Sequence, residues 1–335
     1  MKRFTWFNLC LLAVAVLSLT ACDKSGKMVV SATGSIYECL VVGPTSVYEP
    51  IKEVMAADMP CLPQMEPYFT TMHVTPAKFD SYLKPSRNIL WADIDSVRYS
   101  QVKAKVSQDP WSHPQVMYHI QAPSVQAFLA YWQEHGEQVR AWFVEQEIQR
   151  QVSFYRASTN KQARQRLQSR FGVDMWIPED YMLIMDTTLV CDKQPVNLLW
   201  CCNNKGPMRR DVVVYAYPYI STRTFTLDYL CQQRDKVLGQ VVTASVPGSY
   251  MGTEYRIFPP QMEVKNNVYE VRGLWKILGG EAMGGPYVSH TMLDSTKTKV
   301  ITAEIFLYAA GQKKRNALRQ GEAVIASLRS RGVEE

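Results

Sequence analysis

The sequence predicts an α+β fold, with antiparallel sheets packed against helices in two α+β halves of similar size. Short apolar runs rich in Val, Ile and Tyr alternate with helical patterns, and Gly, Asn, Asp and Pro punctuate them. The chain closes on three strands joined by short turns and then a helix, an order that favours an antiparallel sheet over a doubly wound one. With 335 residues, 47% of them apolar, and no low-complexity run, the chain is long enough for two modest cores.

The elements follow in chain order. Residues 1–21 have the parts of a secretory signal. Lys2 and Arg3 precede an apolar stretch from Phe4 to Leu19 that is short for a membrane span, and small Thr20 and Ala21 lead into Cys22. Residues 22–33 are small and polar and suit a tether. The N-terminal half is expected over 34–172. Residues 36–42 form a strand ended by Gly43-Pro44, and 47–57 carry helical spacing. Residues 67–74 and 87–94 are strands around a short helix near 77–83, and 116–120 is another strand, closed by Pro123. Ser124 then stands at an N-cap position. Val125, Phe128, Leu129 and Trp132 mark one face of the longest helix, with an interruption or kink expected at His135-Gly136. Residues 161–170 are helical and end at Gly172.

The C-terminal half is expected over 173–335. Residues 181–190 and 196–202 form a hairpin across Asp192-Lys193-Gln194-Pro195, a register that sets Cys191 opposite Val196 and far from Cys201. A strand at 212–217 and a helix at 227–241 follow. The meander comprises 268–278, 287–292 and 299–308, turning at Asn266-Asn267, at Gly279–Gly285 and after Asp294. A closing helix over 313–328 turns Leu318, Val324, Ile325 and Leu328 inward.

The tetrapeptide Leu19-Thr20-Ala21-Cys22 resembles the lipobox of bacterial lipoproteins, which implies cleavage before Cys22 and acylation of its thiol and amine. Removing residues 1–21 takes away Lys2 and Arg3, so the formal charge of +6 falls to +4. That balance permits contact with acidic lipids or glycans without demanding it. Six cysteines remain for the body, at 39, 61, 191, 201, 202 and 231, with no C-x-x-C and no compact disulfide framework.

Six short motifs run in order along nearly the whole mature chain. They are Leu62-Pro63-Gln64-Met65-Glu66-Pro67-Tyr68-Phe69, Arg87-Asn88-Ile89, Gln233-Arg234-Asp235-Lys236-Val237-Leu238, Arg272-Gly273-Leu274-Trp275, Met283-Gly284-Gly285-Pro286-Tyr287-Val288 and Lys313-Lys314-Arg315. Together they resemble the DUF4837 family of uncharacterised bacterial lipoproteins. The resemblance implies a similar fold and an envelope location, and no activity. The Gly-Leu-Trp and Gly-Gly-Pro-Tyr strands also resemble, loosely and in fold only, photosystem-associated and Ran-binding sandwich-type domains.

No catalytic motif stands out. The sequence has no G-x-S-x-G and no H-E-x-x-H, and its five histidines include no close helical pair. The glycines of 279–285 lie between strands with no Lys-Ser/Thr after them, so a hairpin turn is expected in place of a phosphate loop, one that could line a pocket beside Trp275. Asp93 and Asp95 share a strand face that Asp58 or Glu66 could approach, and with His119 they form the weaker, catalytic alternative. No metal or cofactor site is expected, and no nucleic-acid module is visible. The leading expectation is therefore a lipid-anchored envelope protein, held to the membrane through Cys22 and non-enzymatic, that binds a protein or glycan partner. Trp111, Trp275 and Tyr287 are the candidate contact surface, and Arg150, Arg156, Arg164 and Arg170 the candidate contacts to an anionic surface.

Overall fold

The computed structural model describes residues 30–330. Cys22 and the signal stretch lie outside the described residues.

The first half is a five-stranded sheet. Its strands are β1 (Glu38–Val42), β2 (Thr70–Val74), β3 (Asn88–Ile94), β4 (Lys103–Gln108) and β5 (Val116–Ala122), in the order β2-β1-β3-β5-β4. Four of them run parallel, and β4 alone is antiparallel to its neighbour. Helices α1 (Thr45–Met55) and α2 (Val125–Ala157) cover one face. Alternation along β1 explains the layering: Cys39 and Val41 face the helices, while Leu40 and Val42 face Phe79, Leu83, Trp91 and Trp111 on the other side. Ser124 caps α2 through its hydroxyl, accepting from the Ala127 amide at 3.1 Å, as its place in the sequence predicts.

The expected break at His135-Gly136 does not occur, and α2 runs unbroken for 33 residues. Gly136 serves packing here: a Cβ at this position would stand 3.0 Å from the Trp132 ring. The stretch after α2 begins as α3 (Lys161–Arg166), widens to a π turn over Leu167–Phe171, and ends at Gly172 with φ 71°, the left-handed stop expected of it. Ala163, Leu167 and Phe171 pack into the core of the following sheet.

That sheet has eight strands and is antiparallel throughout. It holds β7 (Met182–Cys191), β8 (Gln194–Asn203), β9 (Arg209–Pro218), β10 (Tyr250–Glu254), β11 (Gln261–Lys265), β12 (Val268–Leu278), β13 (Gly284–Leu293) and β14 (Lys299–Tyr308). The order is β10-β12-β13-β14-β9-β8-β7, with β11 also on β12. Helix α4 (Leu227–Val241) packs on one face and α5 (Arg315–Ala326) on the other. A short pair, β6 (Val173–Asp174) with β15 (Arg329–Ser330), ties the chain end to the start of this half.

The β7–β8 hairpin is tighter than expected. Asp192 and Lys193 take φ 50° and 64°, a two-residue turn, so Cys191 pairs with Gln194 and Leu189 faces Val196. Cys191 still lies far along the ladder from Cys201, which pairs with Leu183, and all six described cysteines are free and buried. Among the described residues no helix is long and apolar enough to cross a membrane.

Candidate binding site

The family-like motifs converge on buried charge. In the second half, Arg234 on α4 is 2% exposed and donates from Nε and Nη2 to the Glu304 carboxylate on β14 at 2.8–3.0 Å. Its guanidinium lies 3.9 Å above the Tyr287 ring. On the opposite sheet face Arg272 joins Glu270 and Glu322, each at 2.6 Å, and Arg319 closes on Glu322 at the same distance. His290 also meets Glu270, at 2.9 Å. Burial opposes ionisation of Glu270, but His290 and Arg272 outweigh it and hold its pKa down to about 2.

The same arrangement locks the halves together. The Glu66 carboxylate accepts from the Lys314 and Arg315 amides at 2.6 and 3.1 Å, capping α5 from the other half. Arg315 answers by donating to the Pro67 carbonyl at 3.0 Å, and Arg319 lies over the rings of Tyr37 and Tyr68. In the first half Arg87, Asn88 and Arg150 surround the fully buried Glu147 at 2.7–3.0 Å. These charges are structural, each paired in a place where an unpaired one would cost several kcal/mol, on the order of 3–5.

Several expected site residues belong to this frame. Tyr287 is fully buried and Trp275 is 3% exposed, so they are not an exposed contact surface. The reason is cross-strand packing. Tyr287 stands opposite Gly273, and Trp275 opposite Gly285. Each ring occupies the room that the facing glycine leaves. Trp111 sits in the other half, half-buried, with its ring 5.6 Å from Phe79. The three do not form one surface.

Three of the four arginines of the basic stretch are likewise held in ion pairs. Arg150 pairs with Glu147, Arg164 with Asp174 at 2.6 Å, and Arg170 with Asp186 and the Thr187 carbonyl. Arg156 is exposed and lies 5.2 Å over Trp176. Side chains already holding carboxylates are not free to gather on an anionic surface.

The acidic alternative does assemble in part. Asp93 accepts from Tyr99 at 2.6 Å and Arg98 at 2.9 Å and meets His119 at 3.2 Å. Hydrogen bonds from Arg98 and Val97 hold Asp95 below the usual carboxylate range. Glu66 and Asp58 are elsewhere, on α5 and on Pro67. The cluster is a set of satisfied pairs. No group of three His, Cys, Asp or Glu arranged to hold a metal occurs among the described residues. The cysteines are no better placed for chemistry: burial pushes the Cys201 and Cys202 thiols up to about 12.

The second half does contain an aromatic pocket, of about 170 Å³, beside the glycine-rich turn. Trp275, Trp200, Phe306 and Tyr308 form its wall, and Met283 and Thr243 stand at the edge. The indole N–H groups are satisfied internally, Trp200 to Asp211 at 2.8 Å and Trp275 to the Leu307 carbonyl at 3.0 Å. The two indoles therefore offer ring carbon to the void, beside aliphatic Val241, Val242 and Ile277. Arg209, clamped to Asp211 at 2.9 Å and 5.7 Å over Trp200, supplies the polar rim. Sequence reasoning placed the turn and Trp275 here. It missed Trp200, Phe306, Arg209 and Asp211, which come from distant strands; the shared inward parity of Trp200, Trp275 and Phe306 was the available signal.

Fold and pocket define a two-part α+β protein with buried ion-pair networks and a small aromatic pocket. The chain belongs to the family described as domain of unknown function DUF4837, whose sequence model matches residues 160–327, half of the chain. A second family described as a domain of unknown function, DUF8532, matches residues 32–156. No curated protein matches. Among solved structures the chain is similar to cyanobacterial PsbP (CyanoP) from Synechocystis sp. PCC 6803. That similarity has a TM-score of 0.32 and 12% identity, over 48% of this chain and 88% of the other.

Proposed function

We propose that this protein is a lipid-anchored, non-enzymatic module of a bacterial cell envelope, which holds an envelope protein or glycan partner by one apolar or ring-shaped group seated beside Trp275. The pocket carries the reading. Its size is below the several hundred Å³ of a typical small-ligand site, and suits a single anchoring group contributed by a larger partner. Ring carbon on its walls rewards an apolar or flat group, and Arg209 at the rim supplies a hydrogen-bond handle.

The basic, apolar and small-residue run before Cys22 supports the anchor. Acyl chains contribute about 0.8 kcal/mol per buried methylene, and more than one chain holds stably. The alternative, an envelope hydrolase with dispersed residues, would draw on Asp93 and His119, which are already engaged with each other and with Arg98 and Tyr99.

Two experiments test the proposal. Cys22→Ser should move the protein from the membrane to the soluble fraction; a variant that stays with the membrane contradicts the anchor. A photo-crosslinker at position 243 in cells should capture one envelope component, and Met283→Trp, which narrows the pocket mouth, should abolish the product. Capture that survives the occlusion contradicts the pocket.

A further inference from the structure

A second cleft, separate from the Trp275 pocket, opens where the end of α2, the approach to β7, the start of β9 and the outer side of α5 meet. It encloses about 310 Å³, and its lining includes Phe154, Tyr155, Asp180, Tyr181, Arg210 and Gln320. Arg210 is the anomaly. The other described arginines that are not fully exposed each have a carboxylate or hydrogen-bond acceptor, whereas the half-buried Arg210 has none, and its buried Nε makes no hydrogen bond. Leaving a buried Nε unpaired costs on the order of 1–3 kcal/mol, and the guanidinium fork matches a carboxylate in plane and spacing.

The other walls add a complementary requirement. One oxygen of Asp180 accepts from the Asn203 amide at 2.5 Å, which holds the carboxylate in place and leaves its other oxygen for a donor. Tyr155 and Tyr181 present hydroxyls with no hydrogen-bond partner among the described residues. Burial, reinforced by Asp180 and opposed by Arg210, pushes the Tyr155 hydroxyl up to about 12, so it stays protonated and can donate. Phe154, 65% exposed, offers an apolar face at the rim. The cleft continues past Ser158 and Glu179 into a wider one of about 610 Å³, which gives room for an extended chain.

We infer that this cleft binds the carboxylate end of a peptide, with the carboxylate on Arg210 and a backbone N–H on Asp180. The inference stands apart from the Trp275 pocket and from the anchor.

The test is calorimetric titration of the full chain in detergent with N-acetyl-Ala-Phe as the free acid and as the C-terminal amide. A free acid that binds at least about tenfold more tightly than the amide, a preference removed by Arg210→Gln and partly kept by Arg210→Lys, supports the site. Equal binding of acid and amide, a preference indifferent to Arg210→Gln, or no binding of either peptide overturns it.

Discussion

Tyr287 stands directly opposite Gly273 across the β12–β13 pair, and its ring fills the space in which a Cβ at position 273 would lie, 2.8 Å from the ring edge. The same ring also carries the Arg234 guanidinium. The Arg-Gly and Gly-Gly-Pro-Tyr motifs are therefore one packing unit, in which glycine on one strand makes room for the aromatic on the next and the aromatic supports a buried charge.

Gly273→Ala should accordingly destabilise the second half by about 1–3 kcal/mol, the usual cost of overpacking a filled core. Gly285→Ala should cost more, because its Cβ would meet the Leu307 carbonyl, a backbone atom that cannot swing away. Urea unfolding of both variants checks the order.

Arg234→Met leaves the Glu304 carboxylate buried without its partner, and about 3–5 kcal/mol should be lost. Adding Glu304→Gln to that variant should recover part of the loss, since the uncompensated charge disappears. A double-mutant cycle measured by chemical denaturation gives the coupling directly.

Acid should loosen the α5 side of the sheet. The folded pKa of Glu270 is depressed to about 2. Its contribution is therefore fully present above the unfolded carboxylate value near 4.5 and is lost as pH falls from there towards 2. Asp174, held low by Arg164 and Arg329 against its burial, adds to the same limb. Glu270→Gln should flatten the loss of thermal stability below about pH 4.5 and leave the neutral range with a uniformly lower melting temperature.

The body contains six free, buried thiols. A reductant should leave its melting temperature unchanged, and a thiol reagent should label these positions only as fast as the protein opens. Rapid labelling in native buffer, or a melting temperature that falls with reductant, would contradict the packing described.

Strong turn chemistry made the second half legible. Residues 227–241, 268–278 and 299–308 are bounded as the sequence predicts, because Thr226 caps the helix and Asn266, Asn267 and Gly279 take the positive φ angles that end the strands. β4 was not read: Lys103–Gln108 is a short, charged edge strand whose Lys-Ala-Lys-Val alternation buries almost nothing. The α+β class was legible, but the parallel run of β2, β1, β3 and β5 was not, since direction follows from which strands meet across the intervening helices. The buried charges were hidden for a deeper reason. Glu147, Arg234, Glu304 and Glu322 lie in cores where a hydropathy pattern has no place for them, and partners such as Arg87, Glu304, Arg234 and Arg272, far along the chain, complete their pairing. Trp275 was expected to be exposed and is buried, because the sequence does not show that Gly285 and Phe306 enclose it.

The most direct test of the pocket is the dissociation constant of the component captured at position 243, measured with the purified wild-type chain, with Met283→Trp, and with Met65→Trp as a distant exposed control. Seating one group beside Trp275 predicts that Met283→Trp weakens binding by about tenfold or more while Met65→Trp binds as the wild type does. Equal affinity for all three chains would place the contact elsewhere and contradict the account.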